Sequence, residues 1–191
     1  MTQPALKLDA FVQSTALRAL IERARDDITS RLLVPESARA TARIAARRTG
    51  VLAGLAVAPM VIDVYGCDVQ LAPHKRDGDP LMTGDVVGTL SGSLRGILAV
   101  ERVLLNLLTH LSGIATLTAA DVAEVAGKSA DIYDTRKTIP RLRDLAQQAA
   151  ACGGHRGSAG AAAAGPGFAD TALEDTQAQP VLTDDLRRAD V

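Results

Sequence analysis

The sequence predicts an α+β domain that is followed by a strand–loop–helix unit of the α/β type. Within Asp77–Leu90, short apolar pairs alternate with Gly, Asp and Pro residues, which is typical of hairpins in a compact β layer. Over Gly96–Leu117 the apolar residues follow helical spacing instead. A short apolar run that ends at Tyr133 then gives way to a polar segment, and Pro140 stands where it can open the next helix.

The composition excludes several classes of protein. Of the 191 residues 47% are apolar, but only two Tyr, two Phe and no Trp are present, so Ala, Leu and Val must form most of the core. A formal net charge of −1 provides no long-range field for nucleic acid or for an anionic membrane. Cys67 and Cys152 are too few for a disulfide framework and have no metal-ligand spacing.

The sequence indicates a soluble, cytoplasmic protein. The N-terminus has no basic region followed by an apolar core, so no signal peptide is predicted. The uncharged stretch Val51–Ile62 is too short to span a bilayer and contains Gly54 and Pro59. We therefore expect reduced cysteines and no membrane partner.

Several elements are predicted in the first half of the chain. An amphipathic helix covers about residues 9–25, and the polar run Asp26–Ser30 ends it. Strands follow at Ala40–Arg47 and Val51–Leu55, and a helix is predicted near Val57–Tyr65.

The predicted hairpins also occur in lipoyl- and biotin-carrier domains, which present a modified lysine at a hairpin tip. Lys75 lies before the hairpin and lacks that setting. The residues therefore disfavour a carrier module.

The helix predicted over Gly96–Leu117 has an apolar stripe and a separate polar face. The stripe consists of residues at i, i+3, i+4 and i+7 spacing, namely Leu104, Leu107, Leu108, Leu111 and Ile114 or Ala115. The other face carries Arg102, Asn106, Thr109 and Gly113. A second helix is predicted near Ala119–Val125, and a last one from Pro140 to about Ala151.

The polar segment Asp134–Thr138 is predicted to lie in a loop after the C-terminal end of a strand, where α/β folds place ligand chemistry. The guanidinium of Arg136 can bind a carboxylate or phosphate through two parallel hydrogen bonds, and the ammonium of Lys137 is a compact charge. On these residues alone, a solvated surface loop with a basic pair is the favoured alternative.

Three motifs follow one another along the chain: Glu-Arg-Val-Leu-Leu-Asn at Glu101–Asn106, Leu-Ser-Gly-Ile-Ala-Thr at Leu111–Thr116, and Asp-Thr-Arg-Lys-Thr at Asp134–Thr138. In this order and at this spacing they resemble the quinolinate phosphoribosyltransferase family, also called carboxylating nicotinate-nucleotide pyrophosphorylases. The turn Asp26–Ser30 is similar to the family's Gly-Asp-x-Thr-Ser, with Asp26 where glycine is usual. The resemblance covers about residues 8–154.

The resemblance implies an α+β N-terminal sandwich domain followed by the start of an incomplete α/β barrel. The sandwich would comprise residues 1–112, and the first βα units of the barrel would comprise residues 113–154. Residues 155–191 are expected to form a divergent and poorly ordered tail, because residues 157–167 are almost wholly Gly, Ala, Ser and Pro.

The resemblance also implies a reaction. Quinolinate and phosphoribosyl pyrophosphate would give nicotinate mononucleotide, pyrophosphate and CO2, with Mg²⁺, as a step of NAD biosynthesis. The implied substrate-binding residues are Arg102, Thr135, Arg136, Lys137, His155 and Arg156. No residue resembles a catalytic nucleophile.

A homodimer is implied as well, in which Arg102 reaches the partner subunit's active site and binds a substrate carboxylate. The alternative for Arg102 is a solvent-facing side chain that pairs with a nearby acid, as most helix arginines do.

The chain departs from the family pattern after the last predicted helix. Cys152–Arg156 is shorter than the family's glycine-rich turn and Asn-His-Arg, so His155 and Arg156 are either its counterparts or a chance pair. No lysine follows Lys137, and the acidic pair that helps to hold magnesium has no counterpart. We expect a gene truncated or frame-shifted near Cys152. The alternative function is then a catalytically inactive remnant that at most dimerises or binds a ligand.

Overall fold

The computed structural model describes residues 27–134, 137–139, 142–155 and 182–185. Its elements in chain order are α1 (Ile28–Leu33), β1 (Arg39–Ala46), β2 (Gly50–Val51), α2 (Ala58–Tyr65), β3 (Val69–Pro73), β4 (Pro80–Leu81), β5 (Val86–Ser93), α3 (Leu94–Glu124), α4 (Arg143–Cys152) and β6 (Leu182–Asp185). A 3₁₀ turn, Leu55–Val57, precedes α2. The helix predicted near residues 9–25 lies outside the described residues.

The segment predicted as a turn at Asp26–Ser30 leads directly into a short helix. The side chain of Asp27 accepts a hydrogen bond from the backbone N–H of Ser30, 3.0 Å away, and so caps α1. The turn predicted here was wrong for Ile28–Ser30, which are helical, because Asp27 supplies the acceptor that the first helical turn needs.

Four antiparallel strands form the main sheet, in the order β3–β5–β1–β6. Arg39 of β1 lies opposite Ser93 of β5, and the pairing continues to Ala45 opposite Val86. β3 pairs with the other side of β5. The central strands of the sheet are therefore β5 and β1.

β1 alternates between the core and solvent, as a half-buried strand does. Ala42 and Ile44 are buried, whereas Arg43 between them is exposed. The strand predicted at Ala40–Arg47 is confirmed within one residue at each end.

A strand from far along the chain lies at the edge of this sheet. β6 runs antiparallel to β1, with Asp185 opposite Arg43 and Leu182 opposite Ala46. We expected no regular structure in residues 155–191, so these four residues depart from that expectation. The rest of that segment after His155 lies outside the described residues.

β2 and β4 form a separate two-stranded sheet in which Gly50 lies opposite Leu81. The strand predicted at Val51–Leu55 ends early, because the chain turns at Gly54, whose φ is 92°, into the 3₁₀ turn. The hairpin predicted within Asp77–Leu90 was wrong: β4 pairs with β2, while β5 pairs with β1 and β3. Turn residues allow a hairpin, but burial across the whole domain decides which strands pair.

Two helices pack on the sheet. The helix predicted near Val57–Tyr65 is confirmed as α2, which ends at Gly66 in the left-handed conformation. α2 contacts β3, and α3 contacts β1, β2 and β5. This arrangement is an α+β sandwich, as predicted for the N-terminal part of the chain.

α3 is one continuous helix of 31 residues. Its first turn is capped by the side chain of Ser93, which accepts from the N–H of Gly96 at 3.3 Å. The separate helix predicted at Ala119–Val125 was wrong. No Gly or Pro interrupts Ile114–Glu124, and the hydroxyl of Thr118 donates to the carbonyl of Ile114 within the same helix at 2.9 Å.

The apolar stripe of α3 is confirmed as core. Leu104, Leu108 and Leu111 are buried, and Leu107 packs against them while partly buried. Gly113 was predicted on the polar face but is buried. The polar face is therefore narrower than the sequence indicated.

By length and composition α3 is also the one helix among the described residues that could cross a membrane. A core helix of a soluble protein passes the same test. The contacts of α3 with the sheet, with α2 and with α4 are those of a core helix.

The strand predicted to end at Tyr133 is not formed. Residues 131–133 make no strand pairing, and Asp134 makes an isolated β-bridge. A run of two or three apolar residues cannot hold a strand unless a neighbouring strand pairs with it.

The helix predicted from Pro140 begins at Arg143 in the described residues, and Pro140 itself lies outside them. Four of its residues are buried against the rest of the protein, namely Leu145, Ala146, Ala149 and Ala150. This i, i+1, i+4, i+5 pattern is the apolar face of α4, which packs on α3.

Candidate active site

Arg102 lies on the exposed outer face of α3, away from the apolar stripe. The positive charge of Arg102 acts on the carboxylate of Asp27, the N-cap residue of α1. The pKa of Asp27 is lowered mainly by hydrogen bonds from the hydroxyl and the backbone N–H of Ser30, with a smaller contribution from the charge of Arg102. A nearby acid is therefore present, but Arg102 remains exposed to an incoming ligand.

Arg95 fastens α1 to α3. Its Nε donates to the carbonyl of Val34 at 2.8 Å, and its Nη2 donates to the carbonyl of Arg31 at 3.0 Å. These bonds satisfy carbonyls at the C-terminal end of α1. α1 thus lies along α3 next to Arg102.

A cleft lies between the second half of α3, residues 132–134 with Thr138, and α4. About 470 Å³ of space, part of it open to solvent, lies among its lining atoms. The polar residues that line it are Thr118, Asp121, Tyr133, Asp134, Thr138, Gln147 and His155. Nε of Arg143 donates to Oγ1 of Thr138 at 3.4 Å, which links the loop to α4.

His155 and Asp134 each place a buried side-chain polar atom among the residues that line the cleft. Nδ1 of His155 is buried and has no hydrogen-bond partner among the described residues. Oδ2 of Asp134 is buried in the same cleft. A buried imidazole nitrogen of this kind is suited to bind a polar group of a ligand.

The structure describes three of the six predicted substrate-binding residues. His155 lines the cleft, and Lys137 is exposed next to the cleft residue Thr138. Thr135, Arg136 and Arg156 lie outside the described residues. The roles of all six stay predictions.

Arg102 is not near this cleft within one chain. Ile114 is the first residue of α3 that lines the cleft, and Arg102 precedes it by twelve residues on the same helix. That separation is about 18 Å along the helix axis. A single chain therefore does not bring Arg102 and His155 to one ligand.

Sequence reasoning missed several residues of the cleft. Thr118 and Asp121 are one helical turn apart on α3, and this signal was hidden by the predicted break in the helix. Gln147 lies in the helix predicted from Pro140, and no ligand role was predicted for it. Asp134 belongs to a recognised motif, but no role was predicted for it.

Cys152 contributes no reactive thiolate at neutral pH. Cys67 and Cys152 are not joined in a disulfide, and both are partly buried. Burial, followed by the negative charge of Asp77, raises the pKa of the Cys152 thiol to about 11. Such a thiol is almost wholly protonated at pH 7.

Two family models match the chain in consecutive segments. Residues 27–112 match the quinolinate phosphoribosyl transferase N-terminal domain, and residues 114–159 match the C-terminal domain of the same family. The two segments meet inside α3. The cleft falls within the second segment.

The chain is similar to curated proteins and to solved structures. A carboxylating nicotinate-nucleotide pyrophosphorylase from Mycobacterium leprae is 42% identical over 146 residues, which are 74% of this chain and 51% of that protein. NadC from Streptococcus pyogenes superposes with a TM-score of 0.70 at 33% identity, covering 82% of this chain and 55% of that one. The nicotinate-nucleotide pyrophosphorylase from Francisella tularensis gives 0.72 at 30% identity, covering 80% and 54%.

The chain spans about half the length of the curated relatives it matches. The superpositions confirm the predicted fold class, an α+β sandwich domain followed by the start of an α/β barrel domain. The matches to both domain models, in chain order and separated by one residue, show that the chain belongs to the quinolinate phosphoribosyltransferase family.

Proposed function

We propose that the protein is a quinolinate phosphoribosyltransferase, which converts quinolinate and phosphoribosyl pyrophosphate to nicotinate mononucleotide, pyrophosphate and CO2 in NAD biosynthesis. The observation that carries the proposal is the match to both domains of the family, the second of which contains the cleft with His155. The Mycobacterium leprae relative is a carboxylating nicotinate-nucleotide pyrophosphorylase, which is another name for the same activity.

The charges of the substrates explain the residue types. Quinolinate has two carboxylates and the second substrate carries several phosphates, so their binding needs fixed cations. Arg102 and Lys137 are exposed cations among the described residues. In the proposal Arg136 and Arg156 add two more, and Thr135 donates its hydroxyl to a phosphate or carboxylate.

The reaction needs charge stabilisation more than a nucleophile. The pyridine nitrogen forms a bond to the ribose carbon, and pyrophosphate leaves with the bonding electron pair. The adjacent carboxyl group then leaves as CO2, its bonding pair stays on the ring carbon, and that carbon takes up a proton. Preorganised cations stabilise the negative charge that develops in both steps. In the proposal, His155 forms a hydrogen bond with a substrate carboxylate.

Magnesium is part of the proposal as a companion of the polyphosphate substrate. Within the part of the chain that the structure describes, no group of three or more His, Cys, Asp or Glu side chains could hold a metal ion. The described residues therefore do not form a magnesium site, and we assign no step to the ion.

We also propose a homodimer in which Arg102 of one subunit completes the site that contains His155 of the other. The separation along α3 between Arg102 and Ile114, the first cleft residue of that helix, supports this arrangement. The outer face of α1, next to Arg102, exposes Ile28, Leu32 and Leu33, which are 67%, 78% and 77% accessible. An exposed apolar face of this kind is suited to bury surface against a second copy. The two cysteines, which are not joined in a disulfide, accord with a cytoplasmic location.

Replacing Arg102 by alanine tests the function. We expect kcat/KM for nicotinate mononucleotide formation by the full chain to fall about 10²–10³-fold, because a preorganised donor to a substrate anion is lost. Arg39→Ala is the matched control, since Arg39 is exposed and pairs with Asp68 at 2.6 Å on the sheet. No turnover from a folded wild-type chain would contradict the proposal and favour a non-catalytic protein that binds ligand. The absence of a metal-ligand group in the described residues is the observation that favours this second candidate.

Mixing two inactive variants tests the shared site. Arg102→Ala and His155→Ala chains should each be nearly inactive, whereas a mixture that has exchanged subunits should regain about a quarter of wild-type activity. Half of the dimers are then mixed, and one of the two sites in each is intact. Turnover that stays at the level of the separate variants, although sedimentation shows mixed dimers, would contradict the arrangement. So would a wild-type chain that sediments as a monomer at assay concentration.

A further inference from the structure

The turn that ends α4 fixes the backbone of His155. The N–H of Gly154 donates to the carbonyl of Ala151 at 3.0 Å, and the N–H of His155 donates to the carbonyl of Ala150 at 3.4 Å. Gly154 has a φ of 94°, in the left-handed region. These bonds form a Schellman motif, in which His155 is the second residue after the cap.

Gly153, the cap residue itself, is pressed against α3. A Cβ atom added to Gly153 would meet the carbonyl oxygen of Ala115, and it would lie 2.6 Å from Cβ of Thr118 and 3.0 Å from the backbone nitrogen of Ala119. The φ of Gly153 is −76°, so any residue could adopt its backbone conformation. What requires glycine here is therefore space and not conformational freedom.

The atoms nearest to Gly153 cannot be moved by rotation of a side chain. Two of them belong to the backbone of α3, and the third is the Cβ of Thr118, which the backbone also fixes. A side chain at position 153 would have to push α4 away from α3.

The same contact sets the width of the cleft. Thr118 packs against Gly153 and also lines the cleft. On the opposing face of α4, Ala146 and Ala150 line the cleft. His155 enters the cleft two residues after Gly153. A displacement of the end of α4 would therefore move the imidazole relative to Asp134.

We infer that Gly153 is a positioning residue for His155, and that its contact with Ala115 and Thr118 of α3 holds the imidazole in the cleft where the substrate carboxylate is bound. That a substrate carboxylate is bound in the cleft rests on the proposed function. That Gly153 fixes the position of the His155 ring rests on the packing alone.

The test compares Gly153→Ala with Gly154→Asn in the full chain. Asn tolerates the left-handed conformation, and an added Cβ at position 154 meets only Cγ1 of Val122, at 3.8 Å, so the control keeps the turn. In the wild type we expect nuclear Overhauser contacts between the His155 ring and the methyl groups of Ile114 and Thr118. These contacts should vanish in Gly153→Ala and persist in Gly154→Asn. Quinolinate affinity, measured by calorimetry, should fall about tenfold or more in Gly153→Ala alone.

The two readouts separate the inference from the proposed function. If Gly153→Ala keeps the ring contacts and the affinity of the wild type, the positioning role is overturned. If the contacts vanish while His155→Ala binds quinolinate as the wild type does, Gly153 does position the ring, and it is the proposed role of His155 that fails. If the Gly153→Ala chain does not fold, Thr118→Ile takes its place, because it adds bulk on the α3 side of the same contact. The expected outcome is loss of the contact between the His155 ring and Ile114, and a retained contact overturns the positioning role.

Discussion

Replacing Leu111 by alanine should lower the free energy of unfolding by about 2–5 kcal/mol, the usual range for a buried leucine. Leu111 is only 1% exposed and lies at the middle of α3. A Cβ at Gly54 would stand 2.6 Å from Cδ1 of Leu111, so the chain around β2 is already packed closely on this side chain. The rigid strand and helix around it cannot collapse into the space. Urea unfolding followed by far-UV circular dichroism measures the change.

Leu117→Ala is the control for this prediction. It removes the same atoms from the same helix, but Leu117 is 41% exposed. We expect its cost to stay below about 1 kcal/mol, in the range of surface substitutions. Equal losses at the two positions would show that Leu111 does not lie in the core that the structure describes.

Replacing Ser112 by alanine should cost about 1–3 kcal/mol, because a buried polar pair would lose its partner. The side chain of Ser112 is fully buried. Its hydroxyl accepts from the N–H of Ala53 at 3.0 Å and donates to the carbonyl of Ala53 at 3.3 Å. Apart from the loss of unfolding free energy, hydrogen exchange at the amide of Ala53 should accelerate, and this exchange reports the hydrogen bond itself.

Thr109→Ala is the matched control for Ser112. The hydroxyl of Thr109 donates to the carbonyl of Asn106 in its own helix, at an exposed site where water can replace it. We expect a change within about 0.5 kcal/mol. Unchanged exchange at Ala53 in Ser112→Ala would contradict the assignment of that hydrogen bond.

The periodicity of apolar residues was sufficient to predict those strands and helices in which the buried residues recur at regular spacing along the sequence. The alternation around Ile44 and the leucine stripe from Leu104 to Leu111 both survive in the structure. Errors arose where a local signal had two outcomes. The turn residues of Asp77–Leu90 allowed a hairpin, but β4 found its partner in β2. The first of two helices was predicted to end at Leu117, but the helix continues, and the hydroxyl of Thr118 donates to the carbonyl of Ile114 within it.

Of the candidate site, only residues that belong to the sequence motifs could be predicted. The motifs identified His155, Arg102 and Lys137, and the structure places the first in a cleft and the other two on the surface. Neither the contact of Gly153 with α3 nor the separation of Arg102 from the cleft could be predicted. Both depend on how α3 and α4 pack, which no spacing in one sequence encodes.

The pairing of β6 with β1 has a consequence for synthesis on the ribosome. Arg43 and Asp185 are neighbours in the sheet but roughly 140 residues apart in the chain. At about 5–20 residues per second, one edge of β1 stays unpaired for about 7–30 s after β1 has been made. An open edge is a template for pairing with another nascent chain. Aggregation during expression should therefore depend on translation speed between these two strands more than on the stability of the finished protein.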